Sequence, residues 1–167
     1  MASNSVSNLK GFFETGDRPT AAQFVQLIET IGFKYYNGLS AQTAGFTAAA
    51  GYIYTVVDLD GCAIVLPTPV VGDVIKFVGL QITSNTHTIT ADATSTLYEG
   101  YAIVSDGEGD SAESDLFAPD GSDDDVLTMN GTTQGHHGTI ELYATATNRW
   151  FCEGWLVGSG TVANPFG

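Results

Sequence analysis

The sequence predicts a mainly β domain with a short amphipathic helix near its N-terminus, and three observations support this prediction. Eight segments after residue 51 alternate apolar and polar residues or are rich in β-branched residues, as strands are. Turn-forming pairs such as Asp60-Gly61 and Asn130-Gly131 separate them. One earlier segment repeats its apolar residues with a helical period. This pattern favours an antiparallel β-sandwich, a jelly-roll-like fold or a small barrel over a parallel α/β sheet.

The helix is predicted from Thr20 to Ile31. Thr20 and Gln23 have the spacing of a capping box, in which each side chain satisfies an exposed backbone N–H at the start of the helix. Pro19 precedes them, where its missing N–H costs nothing. Gly32 offers the left-handed conformation that commonly ends a helix. Between these signals, one apolar stripe recurs at i, i+3, i+4 and i+7, formed by Phe24, Leu27, Ile28 and Ile31.

The strands are predicted from alternation and from β-branched residues, and each is bounded by a turn signal. In chain order they are Tyr52 to Val57, Ala63 to Leu66, Val74 to Val78, His87 to Ala91, Tyr101 to Val104, Val126 to Met129, Thr139 to Ala146 and Arg149 to Val157.

Length and composition predict one domain with arms. The chain has 167 residues, of which 43% are hydrophobic and only 14% charged, so disorder over the whole length is not expected. We expect an N-terminal arm, helix and linker over 1–51, a β-domain over 52–157 and a C-terminal tail over 158–167. Residues 37–51 resemble a linker because they are rich in Ala, Gly, Thr and Ser. Residues 106–125 hold nine acidic residues and no basic one, which predicts an excursion loop.

The charge balance argues against several classes of partner. Five Lys and Arg stand against 19 Asp and Glu, a formal net charge of −14. Basic side chains supply most non-specific affinity for nucleic acid and for anionic membranes, so we expect neither partner. The N-terminus lacks a basic region followed by an apolar stretch, and no apolar run is long enough to span a bilayer. We therefore expect a protein that is neither signal-directed nor membrane-spanning.

The residue types that carry chemistry are present but not in catalytic arrangements. Cys62 and Cys152 lie far apart, outside any C-x-x-C, which favours two buried thiols and leaves a disulfide open. The adjacent His136 and His137 point to opposite faces of a strand, so a turn between glycines is favoured over a metal site. No nucleophile motif or phosphate-binding glycine motif occurs. We expect a protein that is not an enzyme and that uses no cofactor.

The acidic segment contains a calcium candidate. Asp106, Glu108 and Asp110 alternate as in a chelating loop, and carboxylates are ligands for hard cations. The resemblance to an EF-hand loop fails at Ser111, where Gly is needed, and at Phe117, where a bidentate carboxylate is needed. A solvated loop, or one that meets a basic patch on a partner, is therefore favoured over calcium binding.

Large apolar residues outside the expected core are candidates for an interface. Trp150 and Trp155 are five residues apart, so on a regular strand they face opposite sides and one lies outside the core. Phe166, in a small-residue tail, is a candidate plug into a neighbour or into its own body. The expected interface residues are Phe12, Phe13, Phe24, Leu27, Ile28, Ile31, Trp155 and Phe166.

Two parts of the chain resemble structural proteins of tailed-phage virions. Residues 12–28, with Thr15-Gly16-Asp17 and Pro19-Thr20 before Phe24, are similar to the opening "F-x-T-G-D-x-P-T-x-x-x-F-x-x-L-I" of many such proteins. The later part resembles the β-domain of phage head and tail accessory proteins; its matching segments are Leu66-Pro67, Lys76 to Val78, His87 to Ala91, Gly138 to Leu142 and Asn148 to Trp150. The acidic segment 106–125 is not part of that pattern.

The resemblance implies a protein that assembles on the particle. Such proteins commonly form trimers on a capsid lattice or on tails, with N-terminal arms that reach neighbours and a β-body outside. We expect a capsid decoration (cement) protein, made in the bacterial cytoplasm and bound as a homo-oligomer to the major capsid protein lattice on the outside of the virion. A tail-associated or host-adhesion module that binds a glycan or receptor is the alternative, and a glycan-degrading enzyme is a third hypothesis.

Overall fold

The computed structural model describes residue 20 and residues 39–42, 44–56, 61–81, 86–92, 96–107, 113–135 and 137–167. For residues 39–42 and 81 only the backbone is described. The helix predicted from Thr20 to Ile31 lies outside these residues except for Thr20. No helix within the described ranges is long and apolar enough to cross a bilayer.

The described residues form eleven strands in two sheets. A seven-stranded sheet has the order β1-β3-β5-β10-β11-β7-β8, and a four-stranded sheet has the order β2-β4-β6-β9. The fold is mainly β and sandwich-like, as predicted, and neither sheet closes into a barrel. The strands are β1 (Leu39–Gln42), β2 (Phe46–Thr47), β3 (Ile53–Val56), β4 (Ala63–Val65), β5 (Val74–Gln81), β6 (His87–Thr90), β7 (Leu97–Asp106), β8 (Ser114–Phe117), β9 (Val126–Met129), β10 (His137–Ala146) and β11 (Arg149–Gly158).

The sheets are mixed, which corrects the expectation of an antiparallel fold. From β1 to β6 the chain alternates between the sheets, so β1, β3 and β5 pair in parallel in one sheet and β2, β4 and β6 in the other. Parallel neighbours need a crossover connection, and here a strand of the opposite sheet supplies it instead of a helix. The turn signals in this region therefore mark corners between sheets, not hairpins. Later strands add antiparallel pairs and the parallel pair β7 with β11.

All eight predicted strands are present, and three further strands lie in segments interpreted as a linker or a loop. β1 and β2 lie within residues 37–51, and β8 lies within the acidic segment. These strands are edge strands of their sheets or very short, so they need few apolar residues of their own. Their position depends on backbone pairing with β3, β4 and β7, which local composition does not reveal.

The core lies between the inner faces of the two sheets. One buried cluster contains Phe77, Leu142 and Trp150 of the large sheet together with Ile64 and Leu127 of the small sheet. Removing these side chains from water is the main favourable contribution to folding. Tyr98 is also fully buried, and its hydroxyl donates to the carbonyl oxygen of Ile89 at 2.8 Å, which ties β7 to β6.

The C-terminal residues dock on the edge of the small sheet. Thr128 N–H donates to the Pro165 carbonyl at 2.8 Å, and Val126 and Gly167 exchange two backbone hydrogen bonds of 3.0 Å. Phe166 is 6% exposed, and its ring centroid lies 6.0 Å from that of Tyr98. Phe166 is expected to insert either into a neighbour or into its own body, and in the structure it packs into its own body. The tail thereby covers an edge of β9 that would otherwise present unpaired backbone groups.

The two cysteines are buried and are not joined to each other. The Cys62 thiol donates to the carbonyl oxygen of Ala44 at 2.9 Å. Cys152 lies on the inner face of β11, where burial raises the pKa of its thiol far above the ordinary value. A thiol held in its neutral form is a poor nucleophile and metal ligand.

Candidate functional site

The outer face of the seven-stranded sheet presents the largest exposed aromatic side chain of the described residues. Along β11, Trp150 is fully buried whereas Trp155 is 58% exposed, which confirms that they face opposite sides. β11 is paired on both sides, by β10 and β7, and Gly154 and Leu156 next to Trp155 are buried. A rigid inner strand therefore holds an exposed indole.

Trp155 belongs to a row of side chains that crosses four strands. The strand register places it beside Thr139 of β10 and Ile103 of β7, and Ile103 beside Leu116 of β8. Side chains of directly paired residues lie on the same face of a sheet. Leu116 is as exposed as Trp155, at 58%. We call these four residues the Trp155 row.

A second, polar row runs parallel to the Trp155 row and lies two residues away from it on β10, β11 and β7. The register aligns Lys76 of β5, Glu141 of β10, Glu153 of β11 and Tyr101 of β7. Lys76 Nζ lies 3.1 Å from Glu141 Oε2, and the Tyr101 hydroxyl donates to Glu153 Oε1 at 3.5 Å. Glu141 and Glu153 are directly opposite each other, and like charges in that position repel. Lys76 offsets the charge of Glu141. We call these four residues the polar row.

Two hollows flank Trp155 on this face. One, of about 280 Å³, lies against the polar row and is also lined by Ile103 and Thr139. The other, of about 550 Å³, lies on the opposite side and is lined by Gly79, Leu80, His137, Gly138, Thr139, Trp155 and Val157. Trp155 and Thr139 line both hollows, so the indole stands between them.

A β-bulge in β5 explains the larger hollow. Phe77 pairs with Ile140 and Leu80 with Gly138, so two residues of β5 oppose the single residue Thr139. Gly79 is the second of these two, with φ of 61°, in the left-handed region that glycine adopts readily. A Cβ at this position would meet no atom within 4 Å. Gly79 thus adds no side chain to this part of the sheet, and the space beside it stays open.

The calcium candidates are only partly described. Asp106, at the end of β7, accepts a hydrogen bond from Gly160 N–H at 3.2 Å, while Glu108 and Asp110 lie outside the described residues. Within the described residues, no group of three or more His, Cys, Asp or Glu is placed to hold a metal ion. Calcium binding by this segment stays a hypothesis.

The end of the acidic segment forms a turn that is anchored to the body. Asp120 accepts hydrogen bonds from the hydroxyl and the N–H of Ser122, which lower the pKa of its carboxyl. Asp124 is 5% exposed and accepts from Gly121 N–H at 2.8 Å. Its carbonyl oxygen accepts from Tyr98 N–H at 2.9 Å. This part of the predicted excursion loop is held by its own side chains and by the backbone hydrogen bond from β7.

Of the eight predicted interface residues, the structure describes two. Trp155 lies on the outer face of the sheet, and its role at an interface stays a prediction. Phe166 is buried in the chain's own body. The other six, Phe12, Phe13, Phe24, Leu27, Ile28 and Ile31, lie outside the described residues.

Sequence reasoning missed the polar row, although a signal for part of it exists. The Thr147-Asn148 turn joins β10 and β11 in a hairpin, so Glu141 and Glu153 are expected to lie close together on neighbouring strands. A β-bulge between Ala144 and Ala146 shifts the register by one residue, so the exact pairs, Glu141 with Glu153 and Thr139 with Trp155, do not follow from counting back from the turn. The contributions of β5 and β7 were not accessible, because neither strand is joined to this hairpin by a tight turn.

Comparison with protein-family models, curated proteins and solved structures finds no match to this chain.

Proposed function

We propose that this chain is a structural protein of a tailed-phage particle, and specifically a capsid decoration protein that binds the coat lattice from outside. The resemblance of residues 12–28 to the opening of phage virion proteins supports the first part. The low fraction of charged residues suits dense packing against other subunits, because uncharged groups cost less to desolvate. The proposed assembly is a homo-oligomer, a trimer in the simplest case.

The observation that carries the proposal is the placement of β1 and β8 at opposite edges of the seven-stranded sheet. β1 directly follows the N-terminal 38 residues that hold the phage-like motif, whereas β8 lies in the acidic segment. Six strand spacings of about 4.8 Å separate the two edges, roughly 29 Å in total. The N-terminal arm and the β1 edge can therefore engage the coat while the acidic edge and Trp155 remain accessible.

The mechanism is attachment by burial and strand addition. An edge strand offers unpaired backbone groups to an extended segment of a partner, and the apolar stripe of the predicted helix adds buried area. Binding that is specific for the assembled shell stabilises it by mass action, in proportion to the occupancy of the sites. The docked C-terminal tail takes no part in this attachment, since its apolar residue is already buried in the body.

Copy number per particle tests the proposal. Purified heads should contain the chain at a fixed multiple of the coat lattice, measured by quantitative mass spectrometry. Only a few copies per head would contradict a decoration role. In the full chain, Phe24→Asp should abolish binding to undecorated heads, whereas Leu116→Asp, at the opposite edge, should leave it intact.

A tail-associated or host-adhesion module is the second candidate, and the exposed Trp155 between two hollows favours it. Recovery of the chain from isolated tails and not from heads would favour this candidate over capsid decoration.

Glycan hydrolysis is less well supported. A catalytic carboxylic acid is held protonated by apolar surroundings, but Glu153 is exposed and Glu141 pairs with Lys76. Release of sugars from host polysaccharide by the pure protein would overturn this view.

A further inference from the structure

We propose that the outer face of the seven-stranded sheet binds a neutral or amino-bearing oligosaccharide across Trp155, with one sugar on the indole and its neighbours in the two hollows. This inference names a ligand class and a binding mode that do not depend on where the chain sits in a particle. It rests on the shape, the polar groups and the charge of the face.

The exposed indole supplies the apolar part of the site. One face of a pyranose ring carries only C–H groups, which the negative face of an aromatic ring attracts. Trp155 is 58% exposed, yet its strand is paired on both sides and its chain neighbours are buried. The side chain is thus presented by a rigid strand, so little backbone entropy is lost when a ring stacks on it.

The hollows supply hydrogen-bonding groups on both sides of that indole. The smaller hollow is lined by Lys76, Glu141, Glu153 and Tyr101, which together offer donors and acceptors to sugar hydroxyls. The larger hollow is lined by His137 and Thr139 and stays open because Gly79 has no side chain. An aromatic surface flanked by a few placed polar groups is the usual design of a small-ligand site.

The length of the site calls for more than one sugar unit. Glu153 and Val157 line opposite hollows and are four residues apart on β11, which corresponds to about 13 Å along a strand. A single pyranose cannot contact both. The ligand is therefore a chain of at least two or three units that lies along β11.

Charge selects the class of sugar. In the polar row one lysine faces two glutamates, so the smaller hollow carries a net negative charge, and the whole chain carries −14. Uronate or sialate polymers are repelled both locally and at long range. Hydroxyl groups pair with the carboxylates without this penalty, and a protonated amino group pairs with Glu153 favourably.

Tryptophan fluorescence gives a direct test, because the chain contains only Trp150 and Trp155. Trp150 is fully buried, so acrylamide quenches only the emission of Trp155. The probes are tetrasaccharides of glucose, galactose, mannose and N-acetylglucosamine, the tetramer of glucosamine, and tetragalacturonate. At least one neutral or amino tetramer should protect Trp155 from acrylamide, and tetragalacturonate should bind at least tenfold more weakly.

Variants of the full chain distinguish binding at this site from non-specific binding. Trp155→Ala should weaken binding, measured by calorimetry, by about tenfold or more, and Trp155→Phe should retain most of it. Leu116→Ala is the matched control, since Leu116 is equally exposed in the same row but lines neither hollow. Glu153→Gln should weaken binding of the glucosamine tetramer severalfold more than binding of a neutral tetramer.

Three results would overturn the proposal: no neutral or amino tetramer binds, Trp155→Ala binds as well as the parent, or Leu116→Ala loses binding to the same extent. If no sugar binds while Trp155→Ala abolishes attachment to heads, the face docks protein and the sugar assignment is wrong. The proposed virion role is judged separately by copy number, so one of the two conclusions can fail without the other.

Discussion

Gly100 lies inside β7 at a position that no larger residue can occupy. Its φ is 93°, and a Cβ there would collide with the backbone carbonyl oxygen of Cys152 on the neighbouring β11. Because β11 is paired on both sides, its backbone cannot move away cheaply. We expect Gly100→Ala to lower the free energy of unfolding by roughly 3 kcal/mol or more, measured by urea denaturation.

Gly72 provides the matched control for that substitution. Its φ of 91° is nearly the same, but a Cβ there meets no atom within 4 Å. Gly72→Ala therefore costs only backbone strain, about 1 kcal/mol. Equal costs at Gly72 and Gly100 would mean that conformation, and not the contact with β11, restricts Gly100.

Two buried acidic protons make the stability sensitive to alkaline pH. Burial raises the pKa of the Tyr98 hydroxyl well above 10.0 and that of the Cys152 thiol above 9.0. Both groups stay neutral in the folded chain but ionise in the unfolded chain, so their contribution is complete below about pH 9 and is lost as the pH rises. Each group that ionises only in the unfolded chain lowers the free energy of unfolding by up to about 1.4 kcal/mol per pH unit.

Urea unfolding at pH 7, 9, 10 and 10.5 measures this loss. We expect the stability to fall from about pH 9 upward, and Tyr54, whose pKa is also raised by burial, acts in the same direction. Cys152→Ala should delay the onset to the range in which tyrosine ionises. A free energy of unfolding that is constant up to pH 10.5 would show that these groups are accessible to solvent.

At the level of the elements, local sequence predicts strands well where the strand is half-buried and self-contained. Val126–Met129 is predicted with its bounds, and the hairpin of β10 and β11 follows from alternation around Thr147-Asn148. β1 and β8 are not predicted, because an edge strand can form from residues without alternating apolar character once a neighbour supplies hydrogen bonds. The candidate site shows the same limit. The spacing of Trp150 and Trp155 predicts that one of them lies outside the core, but the polar row also needs β5 and β7.

The docked tail is an element whose importance is testable. Phe166 is 6% exposed and closes the end of the core beside Tyr98 and Leu127. We expect Phe166→Ala to cost about 3 kcal/mol, the usual range for a buried phenylalanine, in thermal or urea unfolding. The comparison variant is Leu116→Ala, which removes an exposed side chain and should change the stability by no more than about 0.5 kcal/mol.

A small effect of Phe166→Ala would mean that the tail is released in solution. In that case the edge of β9 is already free to pair with a second copy, and the parent chain should show the larger apparent mass in sedimentation as well as the variant. An unchanged mass together with the expected loss of stability supports the docked tail.

For the whole molecule, the alternation of the chain between two sheets is the feature that sequence reasoning could not supply. Turn residues such as Asp60-Gly61 and Pro67-Thr68-Pro69 show where strands end but not whether the chain returns to the same sheet or crosses to the other. Parallel pairing of β1, β3 and β5 depends on contacts between residues more than a dozen positions apart. Such pairing is a property of the assembled core and leaves no local pattern.

The distribution of charge is also a whole-molecule property, and it predicts how salt affects stability. Three basic and three acidic residues before residue 39 cancel, so residues 39–167 carry the whole net charge of −14. Against this repulsion stand the surface pairs Lys76 with Glu141 and Arg149 with Glu99, at 3.1 and 3.3 Å. Each such pair contributes at most about 1 kcal/mol, so repulsion among the acidic groups dominates.

Salt should therefore stabilise this protein. Screening by 0.5 M NaCl reduces the repulsion between exposed carboxylates over distances beyond a few ångströms, and we expect the melting temperature to rise by about 3 to 6 °C. Asp123→Lys, at an exposed position of the acidic turn, reduces the net negative charge by two and should reduce this rise. A melting temperature that falls with NaCl would show that the two ion pairs outweigh the repulsion among the acidic groups.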